Sequence, residues 1–200
     1  MVIYQYPFKK YVLGTKFGIK GDSWSCGYHS GLDLKSRNYG GDGVIYPIAA
    51  GTVESISAHG KSYGNHVVIK HADGYLSLYA HLASISVTKG QAVKLTTKLG
   101  IEGTTGNSTG VHLHMEIHKG SYSYPASINP QTFLDKSIAA QKEAADLEIK
   151  KQVVYVDNKA VTLEAVYQDG TNYVKLRDIA TALGATVNYT AATNRIDIKK

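Results

Sequence analysis

Between Val44 and Leu82 the chain reads VIYPIAAGTVESISAHGKSYGNHVVIKHADGYLSLYAHL, a series of short β-branched and aromatic runs cut by Gly. Such punctuation restricts this stretch to turn-rich β structure. Val67 and Ile69 on one side and Tyr75, Leu76 and Leu78 on the other flank His71-Ala72-Asp73-Gly74, a hairpin turn signal because Gly tolerates positive φ. Further strand-like runs follow at Ser84–Val87, Gln91–Val93, Lys98–Ile101 and His112–His118. The expected fold is mainly β, an antiparallel sheet domain with its functional residues at strand ends and on strand faces. With 20 Gly and 15 Tyr but 4 Pro, the composition fits this reading.

After Asn129-Pro130 the character changes. The segment QTFLDKSIAAQKEAADLEIKK is rich in helix formers and contains neither Gly nor Pro, which predicts a terminal helix or helical linker. Its apolar residues Phe133, Leu134, Ile138 and Leu147 are loosely periodic. From Gln152 the chain reads as strand, Asp157-Asn158 turn, strand and a Tyr173–Lys175 strand. An Arg177–Leu183 helix stopped by Gly184 follows, then two closing strands around Asn188–Asn194. The expected organisation is a domain over 1–136, a helical linker over 137–151 and a small α+β domain over 152–200. A core of about 50 residues is marginal alone, so the small domain is expected to pack on something or pair with a copy of itself.

Composition narrows the functional classes. Hydrophobic residues make up 43% and charged residues 19%, which describes a globular chain. Up to Lys136 there are 13 Lys and Arg against 8 Asp and Glu, whereas Gln152 to Lys200 has 6 against 5. The first region thus owns the basic balance, suited to an anionic polymer such as cell-wall material or nucleic acid. No basic helix or interleaving of aromatics with Arg supports nucleic acid. No stretch is long enough for a transmembrane segment, and MVIYQYPFKKYVLG meets Lys before a signal-like apolar run develops. Lone Cys26 excludes an internal disulfide and, despite lying three residues before His29, reads as a small hydrophobe.

All eight histidines lie in the first region. In Gly110-Val111-His112-Leu113-His114-Met115-Glu116-Ile117, strand periodicity puts His112 and His114 on one face and Leu113 and Met115 on the apolar side. One imidazole can bind metal while its neighbour reaches an activated water; a pair on a solvated face is the competing reading. His29 and Asp33 are suitable zinc ligands, and Gly27 and Gly31 argue against a helix that would bring them together, leaving a bent strand or turn. An Asp in a Gly-rich turn is also a common local cap. His81 ends the apolar run Tyr75–Ala80 and can serve as a base, an oxyanion donor or a surface residue. Gly106-Asn107-Ser108-Thr109-Gly110 is a turn leading into His112.

His29-x-x-x-Asp33, Ser77-Leu78-Tyr79-Ala80-His81-Leu82, and Gly106–Gly110 leading into His112-x-His114 together resemble the lysostaphin/LytM-type peptidases of family M23, over roughly residues 20–130. The resemblance implies one Zn2+ per chain held by His29, Asp33 and His114, with His112 as general base on the attacking water. It implies that His81 is a second catalytic histidine, helping proton transfer or stabilising an oxyanion. An extended peptide substrate in a groove across the sheet is implied too. His59, His66, His71 and His118 remain structural or solvent-facing.

Asn172–Ala180, Ala182–Ala185 and Asn194–Ile198 resemble the small domain named for the copper amine oxidase N-terminal domain, with Lys175 where related proteins often have Pro. This part has no His, Cys or Met, so no copper site is expected. Wall targeting and a purely structural or dimerising role both remain open; the oligomeric state is not readable. The resemblance of the first region to family M23 implies a zinc metalloendopeptidase hydrolysing peptidoglycan peptides, in cross-bridge or stem. A Met-initiated chain with a small second domain looks like a bacteriophage endolysin made in the host cytoplasm and released at lysis, or an autolysin separated from its leader. A non-enzymatic wall-binding or regulatory module is the competing class.

Overall fold

The computed structural model describes the backbone of all residues except 1, 23, 123–126, 147–148, 157–158, 169–170, 175, 185, 191–194 and 200, and no side chains within 145–178 or 187–200. The Asp157-Asn158 turn, Lys175, the apolar helix residue Leu147 and the 191–194 part of the last turn therefore lie outside the described residues. The chain divides into two compact units, Met1–Ala139 and Ala140–Lys200.

The first unit is built on one antiparallel sheet. Its members are β1 (Val12–Leu13), β2 (Leu32–Lys35), β4 (Gly51–Gly60), β5 (Gly64–His71), β6 (Tyr75–Ala80), β8 (Ala92–Val93), β10 (Leu113–Lys119) and β11 (Ser127–Ile128). Their order is β1-β2-β10-β6-β5-β4-β8, with β11 beside β10. Three short strands, β3 (Val44–Ile45), β7 (Ser84–Ile85) and β9 (Gly100–Ile101), form a second small sheet in the order β3-β9-β7. The hairpin expected at His71–Gly74 joins β5 to β6, and Gly74 takes φ 84°. The runs from Ser84 and Gln91 form only two-residue strands, the first beside β9 in the small sheet and the second beside β4 at the edge of the large one.

Alternation decides the faces of the large sheet. Leu113, Met115 and Ile117 of β10, Leu32 and Leu34 of β2 and Val67 and Ile69 of β5 enter one continuous core, all at 0% exposure. Tyr79 is buried with them, and its hydroxyl accepts the Ile48 N–H at 2.8 Å. On the opposite face Val68, Leu76, Leu78 and Ala80 form a smaller cluster against Tyr63. The even-numbered residues of β10 from His114 to His118 emerge on this second face.

Two segments close the core from its edges. The chain before β1 crosses the sheet as a strap, where Gln5 donates through Nε2 to the Pro47 and Leu95 carbonyls and Tyr4 donates to Asp73 at 2.6 Å. Helix α1 (Pro130–Asp146) starts with Pro in its first turn and Asn129 as cap, the Thr132 N–H donating to Asn129 Oδ1. Leu134 is buried in the core, and the Phe133 ring meets Tyr4 edge-on at 4.9 Å. The helix therefore begins ahead of the segment expected as a linker and also seals the sheet.

The second unit has a three-stranded antiparallel meander, β12 (Ile149–Val156), β13 (Lys159–Gln168) and β14 (Thr171–Val174). Helix α2 (Leu176–Ala182) follows, ending before Gly184 at φ 68°, and the hairpin of β15 (Thr186–Thr190) and β16 (Arg195–Lys199) closes the chain. No described helix is long and apolar enough to cross a membrane.

Candidate metal centre

The strand register brings the predicted residues together. In the pairing of β10 with β2, His114 stands opposite Asp33, and in the pairing of β10 with β6 it stands opposite Ala80. One row across three strands thus carries Asp33, His114 and the residue before His81. His29 arrives by a different route: Tyr28 bridges Lys20, the His29 N–H donates to the Ile19 carbonyl, and the chain bends at Gly31 into β2. This is the bent strand that the glycines of the segment suggested. Gly31 is obligatory, since a Cβ there would lie 2.4 Å from the Met115 carbonyl oxygen and 2.8 Å from ring atoms of His114.

Three donor atoms converge. His29 Nε2 is 2.9 Å from His114 Nδ1 and 3.0 Å from Asp33 Oδ1, and His114 Nδ1 is 3.1 Å from Asp33 Oδ1. Tetrahedral zinc with bonds of about 2.0–2.1 Å spaces its donors roughly 3.3 Å apart, so the cluster has the dimensions of a zinc site. The outer nitrogens are already committed. His29 Nδ1 donates to the Lys16 carbonyl at 3.0 Å, and His114 Nε2 donates to Glu116 Oε1 at 3.1 Å. Carbonyls and carboxylates only accept, so both rings turn a lone pair inward beside a carboxylate oxygen, an arrangement that requires a cation. Without metal a proton fills this need: burial disfavours the His114 imidazolium, but hydrogen bonds to Asp33 and Glu116 and their charges outweigh it and raise the pKa to about 9. Burial opposes ionisation of Asp33 too, and hydrogen bonds from His114 and His29 hold its carboxyl well below the usual range. This His/His/Asp cluster is thus capable of binding a metal ion, and it satisfies the geometric requirement for one.

Two further imidazoles stand over the same edge. His81 leaves β6 in a left-handed conformation, φ 63°, which is uncommon for a residue with a Cβ and turns its ring toward His112. Their ring centroids are 4.8 Å apart, and His112 Nε2 lies 3.7 Å from Asp33 Oδ1. His81 Nδ1 donates to the Thr105 carbonyl at 2.8 Å and His112 Nδ1 to the Gly110 carbonyl at 2.8 Å, so each leaves Nε2 as its open nitrogen. Burial pushes the His81 pKa down to about 4, which keeps it neutral near pH 7.

All five residues line one open cleft of about 380 Å³. Trp24, Tyr63 and the Asn107–Thr109 turn form its walls. Cys26 also lines it, half-buried rather than a core residue, its thiol directed to the Tyr28 carbonyl.

Behind the donors lies a group that the sequence reading passed over. Glu116, at 0% exposure, accepts from Ser30, from the Tyr63 hydroxyl at 2.8 Å and from His118 Nε2 at 2.7 Å, besides His114. The period-two run His112-x-His114-x-Glu116-x-His118 was the available signal. His118 is thereby a buried structural residue, as is His71, which donates to the Ala50 carbonyl and meets Ser77; His59 is exposed.

Residues 135–200 match the Copper amine oxidase N-terminal domain. The chain is 40% identical over 118 residues to the DD-carboxypeptidase/endopeptidase Mpg of Neisseria meningitidis and 37% identical over 111 residues to the murein hydrolase activator NlpD of Escherichia coli. These alignments cover 52% and 55% of the chain, which spans only 27% of either relative's length. The catalytic domain of lysostaphin from Staphylococcus simulans superposes with a TM-score of 0.56 at 28% identity, covering 62% of this chain and 92% of that domain. Residues 27–130, just over half of the chain and all five site residues among them, match Peptidase family M23, and the chain belongs to that family, with its zinc metallopeptidase fold.

Proposed function

We propose that the chain is a zinc-dependent endopeptidase that hydrolyses peptide bonds of bacterial peptidoglycan, in the cross-bridge or the stem. The observation that carries this reading is the pair of open imidazole nitrogens, His81 Nε2 and His112 Nε2, beside three converging metal donors in one cleft. His29, Asp33 and His114 would hold the zinc. Bound there, zinc supplies the Lewis acidity that polarises a scissile carbonyl and acidifies water.

The chain's own residues move the protons. His112 Nε2 accepts the proton of the attacking water, and the Gly110 carbonyl steadies the resulting imidazolium through Nδ1–H. His81 is too weak a base to hold a proton at rest. Its Nδ1–H is committed to Thr105, so it offers a lone pair and takes part by transient proton transfer; its Nε2 becomes a donor to an oxyanion only once protonated. Trp24 and Tyr63 confine an extended peptide across the cleft.

The likeness to a murein hydrolase activator favours a second reading, a non-enzymatic wall-binding or regulatory module that uses the same cleft. The complete set of donors and bases supports turnover instead. Incubation of zinc-loaded protein with purified peptidoglycans of differing bridge composition, followed by mass spectrometry, separates the two: new peptide termini identify the bond, and intact glycopeptides in every sample would leave the binding module. We place the enzyme at the cell wall as an endolysin or autolysin, supported by the basic surplus of its first region.

A further inference from the structure

We propose that Glu116 is the positioning residue of the metal centre, its Oε1 fixing the His114 proton on Nε2 so that Nδ1 stays turned toward His29 and Asp33 as a ligand. This role rests on the zinc site proposed above.

A neutral imidazole has two tautomers, and only one of them serves here. With its proton on Nδ1, His114 would donate to Asp33 Oδ1 at 3.1 Å and present no lone pair to a metal. An ionised carboxylate accepts and never donates, so Glu116 Oε1, 3.1 Å from Nε2, selects the other tautomer. Such selection needs a carboxylate that can neither rotate away nor recruit water. Glu116 is sealed at 0% exposure, and both oxygens are held: Oε1 by Ser30 and the Tyr63 hydroxyl, Oε2 by His118 Nε2 at 2.7 Å. Burying a carboxylate is costly without such donors, and the arrangement assigns three of them to holding the anion and the fourth contact to the ligand.

Glu116 itself does not line the cleft, so it acts through His114 rather than on substrate. Ser30 and Tyr63 do line it, and the Tyr63 ring lies against the His114 ring at 5.8 Å between centroids. Ser30 and Tyr63 thus reach from the cleft wall to the same oxygen that holds the His114 Nε2–H.

The test uses the full chain, loaded with zinc. In competition with a chromophoric chelator, Glu116→Gln, which keeps the shape and loses the charge, should bind zinc about 10–100-fold more weakly. In nitrogen–proton spectra of histidine-labelled wild type, His114 should carry its proton on Nε2 with Nδ1 metal-bound, and that proton should exchange with solvent faster in Glu116→Gln. Wild-type affinity with an unchanged His114 signal would overturn the proposal. Should Glu116→Gln fail to fold, Tyr63→Phe keeps the ring and removes one donor to Oε1; a His114 proton that exchanges as in wild type would be equally fatal. Asp33→Ala and His29→Ala report on the zinc site itself. If they bind zinc as wild type does, the site reading falls and takes this role with it, whereas loss in both with no change in Glu116→Gln removes the role of Glu116 alone.

Discussion

His112 sits two residues before His114, bridged to Gly103 just ahead of β10 rather than within it as the sequence run suggested, and hydrogen bonds give the two rings opposite nitrogens to work with. His112 gives up Nδ1 to a carbonyl and keeps Nε2, while His114 gives up Nε2 to Glu116 and keeps Nδ1. Replacement of His112 by Ala should accordingly lower turnover about 10²–10⁴-fold while zinc content, measured by elemental analysis, stays near one per chain. Near wild-type turnover would remove its assignment as base. The proton on His114 makes a second expectation. Its metal-free pKa of about 9 lies above the ordinary 6.5, so this proton stabilises the metal-free fold fully below pH 6.5 and ceases to do so as pH rises through 9. Zinc binding runs the other way: below pH 9 the metal must displace that proton, and its apparent affinity should fall about tenfold per pH unit as pH is lowered. A chelator titration between pH 6 and 9 that finds a flat affinity would contradict this. The family resemblance nominated the ligands; it could not say which ring nitrogen each would present, because Lys16, Thr105 and Gly110 contribute only carbonyls, which every residue has.

At the level of elements, the site is a product of register. Asp33 and His114 are direct partners across β2 and β10, and a slip of one residue would send one of them into the core. The alternation of Leu32 and Leu34, and of Leu113, Met115 and Ile117, prevents that slip by burying the other face. Gly31 lets the incoming strand pass against β10, so Gly31→Ala should push His114 aside and abolish tight zinc binding, read by the same chelator assay, with wild-type affinity as the contrary result. Tyr79 locks β6 to the chain beneath it, and Tyr79→Phe, leaving the Ile48 N–H without its acceptor, should cost about 1–3 kcal/mol in denaturant unfolding. The antiparallel pattern and the His71–Gly74 hairpin were legible from Gly and β-branched residues, whereas Glu116 was not singled out, because a Glu on an alternating strand reads as solvated until the opposite face is seen to be covered.

Across the whole molecule, the two units carry different signals: the first holds every histidine and most of the basic surplus, and the second holds neither. We propose that the second unit anchors the enzyme to its polymer, which raises the local concentration of substrate without adding a catalytic contact. Residues from Gln152 to Lys200, incubated with whole cell walls and pelleted, should be retained; recovery in the supernatant would favour a structural role. The β architecture and the helical segment follow from the chain alone, since strand periodicity and Gly punctuation are local properties, and the five candidate site residues came from the family resemblance of their motifs. Tertiary structure alone decided which histidine nitrogen faces the metal donors, how His81 is turned by its left-handed backbone, and that Glu116 is sealed behind His114. The contacts of His29 with Lys16, of His81 with Thr105 and of Glu116 with Ser30 join groups 13, 24 and 86 positions apart, which no local pattern records, whereas His114 and Glu116 are two apart and only the burial of their face was hidden.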